Sequence, residues 1–188
     1  MRCRVSILFP ALLSALLLCR NGDLTLVCLL ASLVHEIGHL LTMLLLHVPP
    51  KECVVGLFGL RIQLTQHITT YPRNVMIALA GPLANGLAAG FLWWFGASQA
   101  AMVHLWLAIL NLLPITVLDG GEILRGLVGL CGGNVDAFLH RCSIGTTAFI
   151  IVNGLWIMVR HSGTPTLFIV GCYLAMMLFF SNKNEKTS

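Results

Sequence analysis

Long apolar runs broken by short polar stretches are the main pattern of the chain. From Asn74 to Leu118, 45 residues contain no Asp, Glu, Lys or Arg. As a helix this run would be about 67 Å long, which is enough for two crossings of a hydrocarbon core of about 30 Å. The small and polar residues from Gly96 to Gln99 are the expected hairpin between those crossings.

The full pattern predicts an all-α membrane protein with about six transmembrane helices. The predicted spans are 5–19, 24–47, 75–96, 100–118, 143–159 and 165–181. We expect residues 1–181 to form a single polytopic membrane domain and residues 182–188 a short tail. The first span follows two arginines, as the apolar core of a signal peptide would. No small-x-small cleavage site precedes the next apolar segment, so we expect a retained anchor.

The longest predicted loop, residues 49–73, separates the second and third helices. Leu60 to Thr65 alternate apolar and polar side chains, and Gly56 to Gly59 precede them, which predicts a short interfacial β-hairpin. An exposed edge of this hairpin could pair with an extended substrate by strand addition. The alternative is a hairpin that only packs at the membrane surface.

Composition and charge agree with a multi-pass protein of the cell membrane. Charged residues make up 10% of the chain and apolar residues 57%, and the mean hydropathy is +0.90. With six spans, the side of the termini receives most of the eleven Lys and Arg residues, and only Arg20 and Arg160 fall on the other side. The positive-inside rule therefore places both termini in the cytoplasm.

This topology in the lipid bilayer accounts for the net charge of +4, so we expect no nucleic-acid partner. Seven cysteines without C-x-x-C spacing predict no disulfide framework.

His35-Glu36-Ile37-Gly38-His39 places two imidazoles and a carboxylate inside an apolar run. Side chains four residues apart on a helix are stacked one turn apart, so both imidazoles can reach one zinc ion at roughly 2.0–2.1 Å. Glu36 lies beside them, where its carboxylate can take a proton from a water molecule. Ionisable residues within a membrane are costly and mark functional sites. The alternative is a hydrogen-bonded histidine pair in the core.

Zinc held by two histidines needs a third protein ligand and an open position for water. Asp119 is the main candidate, because it ends the uncharged run and precedes two glycines. Pro114 would break the preceding helix and let the chain unwind inward, which is tolerated where the backbone lines a watery cavity. The alternative is that Asp119 lies in a simple turn after a helix.

Two amides are candidates for stabilising a tetrahedral oxyanion, Asn85 in the third span and Asn111 in the fourth. We prefer Asn111, because it shares a segment with Asp119. The remaining histidines have no ligand spacing and are interpreted as incidental. They are His47, His67, His104, His140 and His161.

Three motifs together resemble those of the site-2 protease family of intramembrane zinc metalloproteases. They are His35 to His39, Gly81-Pro82-Leu83-Ala84-Asn85, and Asn111-Leu112-Leu113-Pro114 with Asp119-Gly120-Gly121. The resemblance covers nearly the whole chain. It implies one Zn²⁺ per chain held by His35, His39 and Asp119, with Glu36 as the catalytic acid and base.

The compact layout is most similar to the stage IV sporulation protease branch, which cleaves a sigma-factor precursor. That branch has a nucleotide-sensing domain after its last span, and we expect no regulation through such a domain here. The resemblance implies regulated intramembrane proteolysis of a membrane-embedded or membrane-tethered substrate, such as a sigma-factor precursor or an anti-sigma factor. A membrane inhibitor or regulatory partner is a further expected partner.

A metal transporter or a non-catalytic metal-binding membrane protein is the alternative of a different class. A transporter would be expected to have metal ligands along a path across several spans. Here the ionisable residues of the predicted spans are nearly confined to one cluster. A glutamate next to the first histidine also suits water activation better than cation relay.

The predicted topology can be tested with a reporter that is active only in the cytoplasm. A fusion after Ser188 should be active and a fusion after Gln99 silent, because most basic residues lie on the side of the termini. The reverse activities would invert the topology and place the histidine pair towards the outer face.

Overall fold

The computed structural model describes residues 2–5, 22–48, 52–56, 59–63, 70–131, 135–161 and 166–185. These residues are nearly all helical. The helices are α1 Gly22–Leu45, α2 Tyr71–Trp94, α3 Ser98–Asn111, α4 Asp119–Leu130, α5 Val135–His161 and α6 Thr166–Glu185. The strands are β1 Arg2–Val5, β2 Glu52–Gly56 and β3 Gly59–Gln63. By residue contacts the chain divides into two compact units, Met1–Leu110 and Asn111–Ser188.

Three described helices are long and apolar enough to cross a membrane. They are Leu24–Leu45, Tyr71–Trp94 and Val135–Arg160, and a shorter apolar helix covers Leu167–Phe179. These segments correspond to the second, third, fifth and sixth predicted spans. The first predicted span, 5–19, lies outside the described residues except for Val5, which belongs to β1. A total of six spans therefore stays a prediction.

The fourth predicted span, 100–118, is wrong at its carboxyl end. Helix α3 has 14 residues and ends at Asn111, after which the chain runs without regular structure to α4. Pro114 gives the physical reason, because it lacks an N–H donor, disfavours helical backbone at Leu113 and clashes with the carbonyl one turn back. Unwinding was expected at Pro114, but it begins two residues earlier.

In the first unit, one side of α1 is buried against α2. Its most buried side chains recur every fourth residue, which is the spacing of one helix face. They are Ala31, His35, His39 and Met43. The other faces carry exposed leucines and isoleucines, including Leu33, Ile37 and Leu41. Large exposed apolar side chains around a helix are typical of contact with lipid. The histidines therefore lie on the protein-facing side of α1.

Gly38 lets the backbones of α1 and α2 approach closely beside the histidines. A Cβ at this position would lie 2.6 Å from the carbonyl oxygen of Ala80 and 2.8 Å from the Cβ of Ala84. Contacts this short are not tolerated between packed atoms, and one of them is to backbone that cannot easily move. The glycine of the motif is therefore needed for helix packing.

The three strands form one sheet in the order β1-β2-β3. β1 pairs parallel to β2, while β2 pairs antiparallel to β3 with Gly56 opposite Gly59. The antiparallel pair falls in the loop for which the sequence predicts a hairpin. The position of that pair at the membrane surface stays a prediction.

In the second unit, α5 and α6 pack together through glycines. A Cβ at Gly154 would lie 2.6 Å from the backbone nitrogen of Phe168, and one at Gly171 would lie 2.7 Å from the Cγ1 of Ile151. Small residues at such crossings let helices approach closely in a bilayer, where van der Waals packing drives their association.

Gly154→Ala should destabilise this unit, and Gly145→Ala provides a matched control on the same helix. Both changes favour helical backbone by about 1 kcal/mol. A Cβ at Gly145 meets nothing within 4 Å, whereas at Gly154 it meets the backbone of Phe168. We expect a lower thermal unfolding midpoint in detergent for Gly154→Ala than for Gly145→Ala. The reason is that overpacking lowers the free energy of unfolding by about 1–3 kcal/mol. Equal midpoints for the two variants would contradict the packing described here.

Candidate metal centre

His35 and His39 point the same ring nitrogen at each other. Their Nε2 atoms lie 3.2 Å apart, and the two rings are nearly perpendicular, at 83°. Two ligands of a tetrahedral zinc ion at roughly 2.0–2.1 Å lie about 3.3 Å from each other. The spacing of the two nitrogens therefore fits two ligands of one metal ion.

The other ring nitrogen of His39 is bonded to the backbone of α2. Nδ1 lies 2.7 Å from the carbonyl oxygen of Ile77, which can only accept, so Nδ1–H donates. This hydrogen bond fixes the tautomer with an unprotonated Nε2, which is the form that binds a metal. Helix α2 thus holds the His39 ring with its Nε2 towards His35.

The other ring nitrogen of His35 reaches a buried amide. Asn85 Nδ2 lies 3.2 Å from His35 Nδ1, and Asn85 Oδ1 lies 3.0 Å from His104 Nδ1. The Asn85 side chain is fully buried, and His104 is 5% exposed. His104 has no ligand spacing in the sequence, but in the structure it contacts the Asn85 amide. The position of His104 within the uncharged run could have predicted a contact of this kind, because a histidine buried inside a membrane needs a partner.

Gly81 leaves the space that the two imidazoles occupy. A Cβ at this position would press on His39 Nε2 and would lie 2.7 Å from His39 Cε1 and 2.8 Å from His35 Cε1. Any larger residue would therefore displace the ring atoms that face each other. The glycine of the second motif has a direct steric role at the histidine pair.

Asp119 is the first residue of α4, where a carboxylate also interacts favourably with the helix dipole. The turn before it is tight. A Cβ at Gly120 would meet the carbonyl oxygens of Leu112 and Leu113, and one at Gly121 would lie 2.9 Å from the Cα of Thr116. The two glycines after Asp119 are therefore required because the backbone of the unwound segment passes directly beside them. Asp119 begins a helix and does not lie in a simple turn.

The unwound segment is held by a buried serine. The backbone N–H of Thr116 donates to Ser143 Oγ at 2.9 Å, and Ser143 Oγ donates to the Leu139 carbonyl at 2.8 Å. Ser143 and Ile115 are fully buried. A backbone donor freed by helix unwinding thus finds a partner, which limits the cost of burying irregular backbone.

Helix α4 carries further charges close to Asp119. Arg125 lies 3.6 Å from Glu122 and 3.7 Å from Asp136. Desolvation raises the pKa of the Glu122 carboxyl; the Arg125 guanidinium opposes this rise and the Asp119 carboxylate adds to it. In both pairs the partners are at least partly exposed to solvent, so the pairs contribute little to stability.

Within the first unit, His35 and His39 offer two imidazole nitrogens, which are ligands that zinc accepts. In the second unit, Asp119 offers a carboxylate oxygen, and it stays the predicted third ligand. Glu36 is half-buried next to His35, and Asn111 is half-buried at the end of α3.

Comparisons with known proteins agree with this chemistry. The sequence profile of Peptidase family M50 matches residues 97–153. A protein of Synechocystis sp. described as a zinc metalloprotease is 32% identical over 126 residues, which is 60% of this chain and 33% of that protein. The site-2 protease from Methanocaldococcus jannaschii has the same fold, with a TM-score of 0.64 over 96% of this chain and 89% of that chain, at 17% identity. Residues 97–153 are therefore similar to Peptidase family M50, and the chain shares its fold with the Methanocaldococcus protein.

The matches cover only parts of the two proteins compared. The chain spans about a third of the length of the Synechocystis protein. The residues matched by the family profile include Asn111 and Asp119 but not the histidine pair.

Gly81→Ala should weaken zinc binding by about tenfold or more, because its Cβ would displace both imidazoles. Gly86→Ala is the matched control on the same helix, since a Cβ there meets nothing within 4 Å. The measurement is the zinc dissociation constant of the purified protein by competition with a chelator. If the two variants bind zinc equally well, the histidine pair does not occupy the space beside Gly81.

Proposed function

We propose that the protein is an intramembrane zinc metalloprotease that cleaves a membrane-embedded or membrane-tethered protein. The observation that carries the proposal is the histidine pair, whose Nε2 atoms lie 3.2 Å apart, with Glu36 adjacent to His35 in the sequence. His35, His39 and Asp119 would hold one zinc ion per chain. The bound ion would supply Lewis acidity for the peptide carbonyl and lower the pKa of water.

Glu36 and Asn111 would carry out the remaining chemistry. The Glu36 carboxylate would take the proton of the attacking water and deliver it to the leaving amine nitrogen as the peptide bond breaks. Asn111 is proposed to donate a hydrogen bond to the developing oxyanion. The Asn85 amide is an inferior candidate, because both of its ends already lie within hydrogen-bond distance of histidines.

Substrate would be presented in extended form. A helical backbone hides its carbonyls in hydrogen bonds, so a substrate helix has to unwind before cleavage. Among the described strands, β3 is at one edge of the sheet, and its pairing with β2 leaves the outer edge available for an added strand. We propose that this edge binds the substrate segment.

The basic residues on the side of the termini support a cytoplasmic active-site side in the cell membrane. Cytoplasmic release would suit a tethered transcription factor, so a sigma-factor precursor or an anti-sigma factor is the proposed substrate class. A membrane inhibitor or regulatory protein is proposed as a further partner.

The transporter alternative is less well supported by the burial of polar groups. In the described helices, the buried histidines are His35, His39 and His104, and Asn85 lies between His35 and His104. One local network fits a single metal centre better than a path of ligands across the bilayer.

Glu36→Gln should retain bound zinc and lose cleavage by about 10²–10⁴-fold, because the change removes the base and no ligand. The measurement pairs zinc content with product formation from a membrane-tethered substrate, mapped by mass spectrometry. Cleavage at the wild-type rate by purified Glu36→Gln protein would refute this mechanism.

Asp119→Ala should behave differently and lose both zinc and cleavage. Asp136→Ala is its matched control, since that carboxylate is 85% exposed on its side chain. A tightly held zinc ion in Asp119→Ala, at the stoichiometry of Asp136→Ala, would show that Asp119 is not the third ligand.

A further inference from the structure

A buried polar chain connects His104 on α3 to His35 on α1 through Asn85 on α2. The two contacts measure 3.0 and 3.2 Å, and all three side chains are at most 6% exposed. Buried polar groups in such a setting are retained when they are hydrogen-bonded, and the network then fixes side-chain orientation. The chain ends on the ring nitrogen of His35 that does not face His39.

The orientation of the Asn85 amide decides which nitrogen of His35 carries a proton. With Nδ2 towards His35, the amide donates to Nδ1, and a neutral ring must then carry its proton on Nε2. That tautomer cannot bind a metal through Nε2. With the amide turned by 180°, His35 Nδ1–H donates to Oδ1, and Nε2 is available as a ligand.

His104 lies at the other end of the amide and therefore selects between these two orientations. A proton on His104 Nδ1 stabilises the orientation in which Oδ1 faces His104. With its proton on Nε2, His104 accepts from Nδ2 through Nδ1, and Oδ1 faces His35. The tautomer of His104 is thus coupled to the tautomer of His35, although Asn85 lies between them.

We propose that His104 is a positioning residue of the metal centre: acting through Asn85, it sets the tautomer and orientation of His35 and so the affinity for zinc. This inference rests on the proposed metal site. It adds a residue that does not bind the ion. Partners of this kind change metal affinity by about 10–100-fold when they are removed.

Three substitutions of His104 separate this role from simple packing. An Asn side chain places its amide near the position of Nδ1, whereas a Gln side chain places it near the position of Nε2. A Phe side chain keeps the ring and removes both nitrogens. Since the contact to Asn85 is made through Nδ1, His104→Asn should retain the chain, and His104→Gln and His104→Phe should break it.

The experiment measures the zinc dissociation constant of the full chain in detergent by competition with a chromophoric chelator. We expect about 10–100-fold weaker binding for His104→Phe and His104→Gln, and binding within about threefold of wild type for His104→Asn. The visible spectrum of the Co²⁺-loaded protein should change for the first two variants and be retained for His104→Asn. Thermal unfolding in excess chelator reports any purely structural effect.

A double-mutant cycle tests whether Asn85 transmits the effect. In an Asn85→Leu background, His104→Phe should weaken zinc binding by less than about twofold further, because the chain is already broken. Equal zinc affinity for wild type and all His104 variants would overturn the inference. Equal losses for Asn, Gln and Phe that parallel a loss of metal-free stability would also overturn it, in favour of a packing role. Failure of the wild-type protein to bind zinc would instead refute the proposed function.

Discussion

The site depends on one constraint: each imidazole nitrogen buried between the apolar helices α1 and α2 needs a hydrogen-bond partner. An unsatisfied buried polar group costs about 1–3 kcal/mol, and more when the surroundings are hydrocarbon. Each ring nitrogen of the histidine pair has a nearby partner, which is the Asn85 amide, the Ile77 carbonyl or the other histidine. Helix α2 supplies the two partners from outside α1, so the site exists only where α2 packs closely on α1.

Close packing in turn depends on two glycines that face different neighbours. Gly38 removes a clash between α1 and the backbone of α2, and Gly81 removes a clash between α2 and the imidazoles. A side chain at either position would separate the helices or the rings by more than a hydrogen bond tolerates. Sequence motifs that contain histidines and glycines therefore combine ligand chemistry with the steric room that the ligands need.

Local features of the structure could be predicted from the sequence, because they follow from single helices. The spacing of His35 and His39 places both on one face of α1, and Pro114 predicts that the fourth apolar segment unwinds before Asp119. Helix α4 was not predicted, since its several glycines have low helix propensity. The contact of His104 with Asn85 and the parallel pairing of β1 depend on elements distant in sequence, which periodicity does not report.

The most direct test of the account is zinc K-edge X-ray absorption of the purified protein loaded with one equivalent of Zn²⁺. The account predicts nitrogen and oxygen scatterers at roughly 2.0–2.1 Å with the outer-shell pattern of two imidazoles, which His39→Ala should reduce to one. A sulfur scatterer at about 2.3 Å, or a spectrum unchanged in His39→Ala, would contradict a metal centre built on the histidine pair of α1.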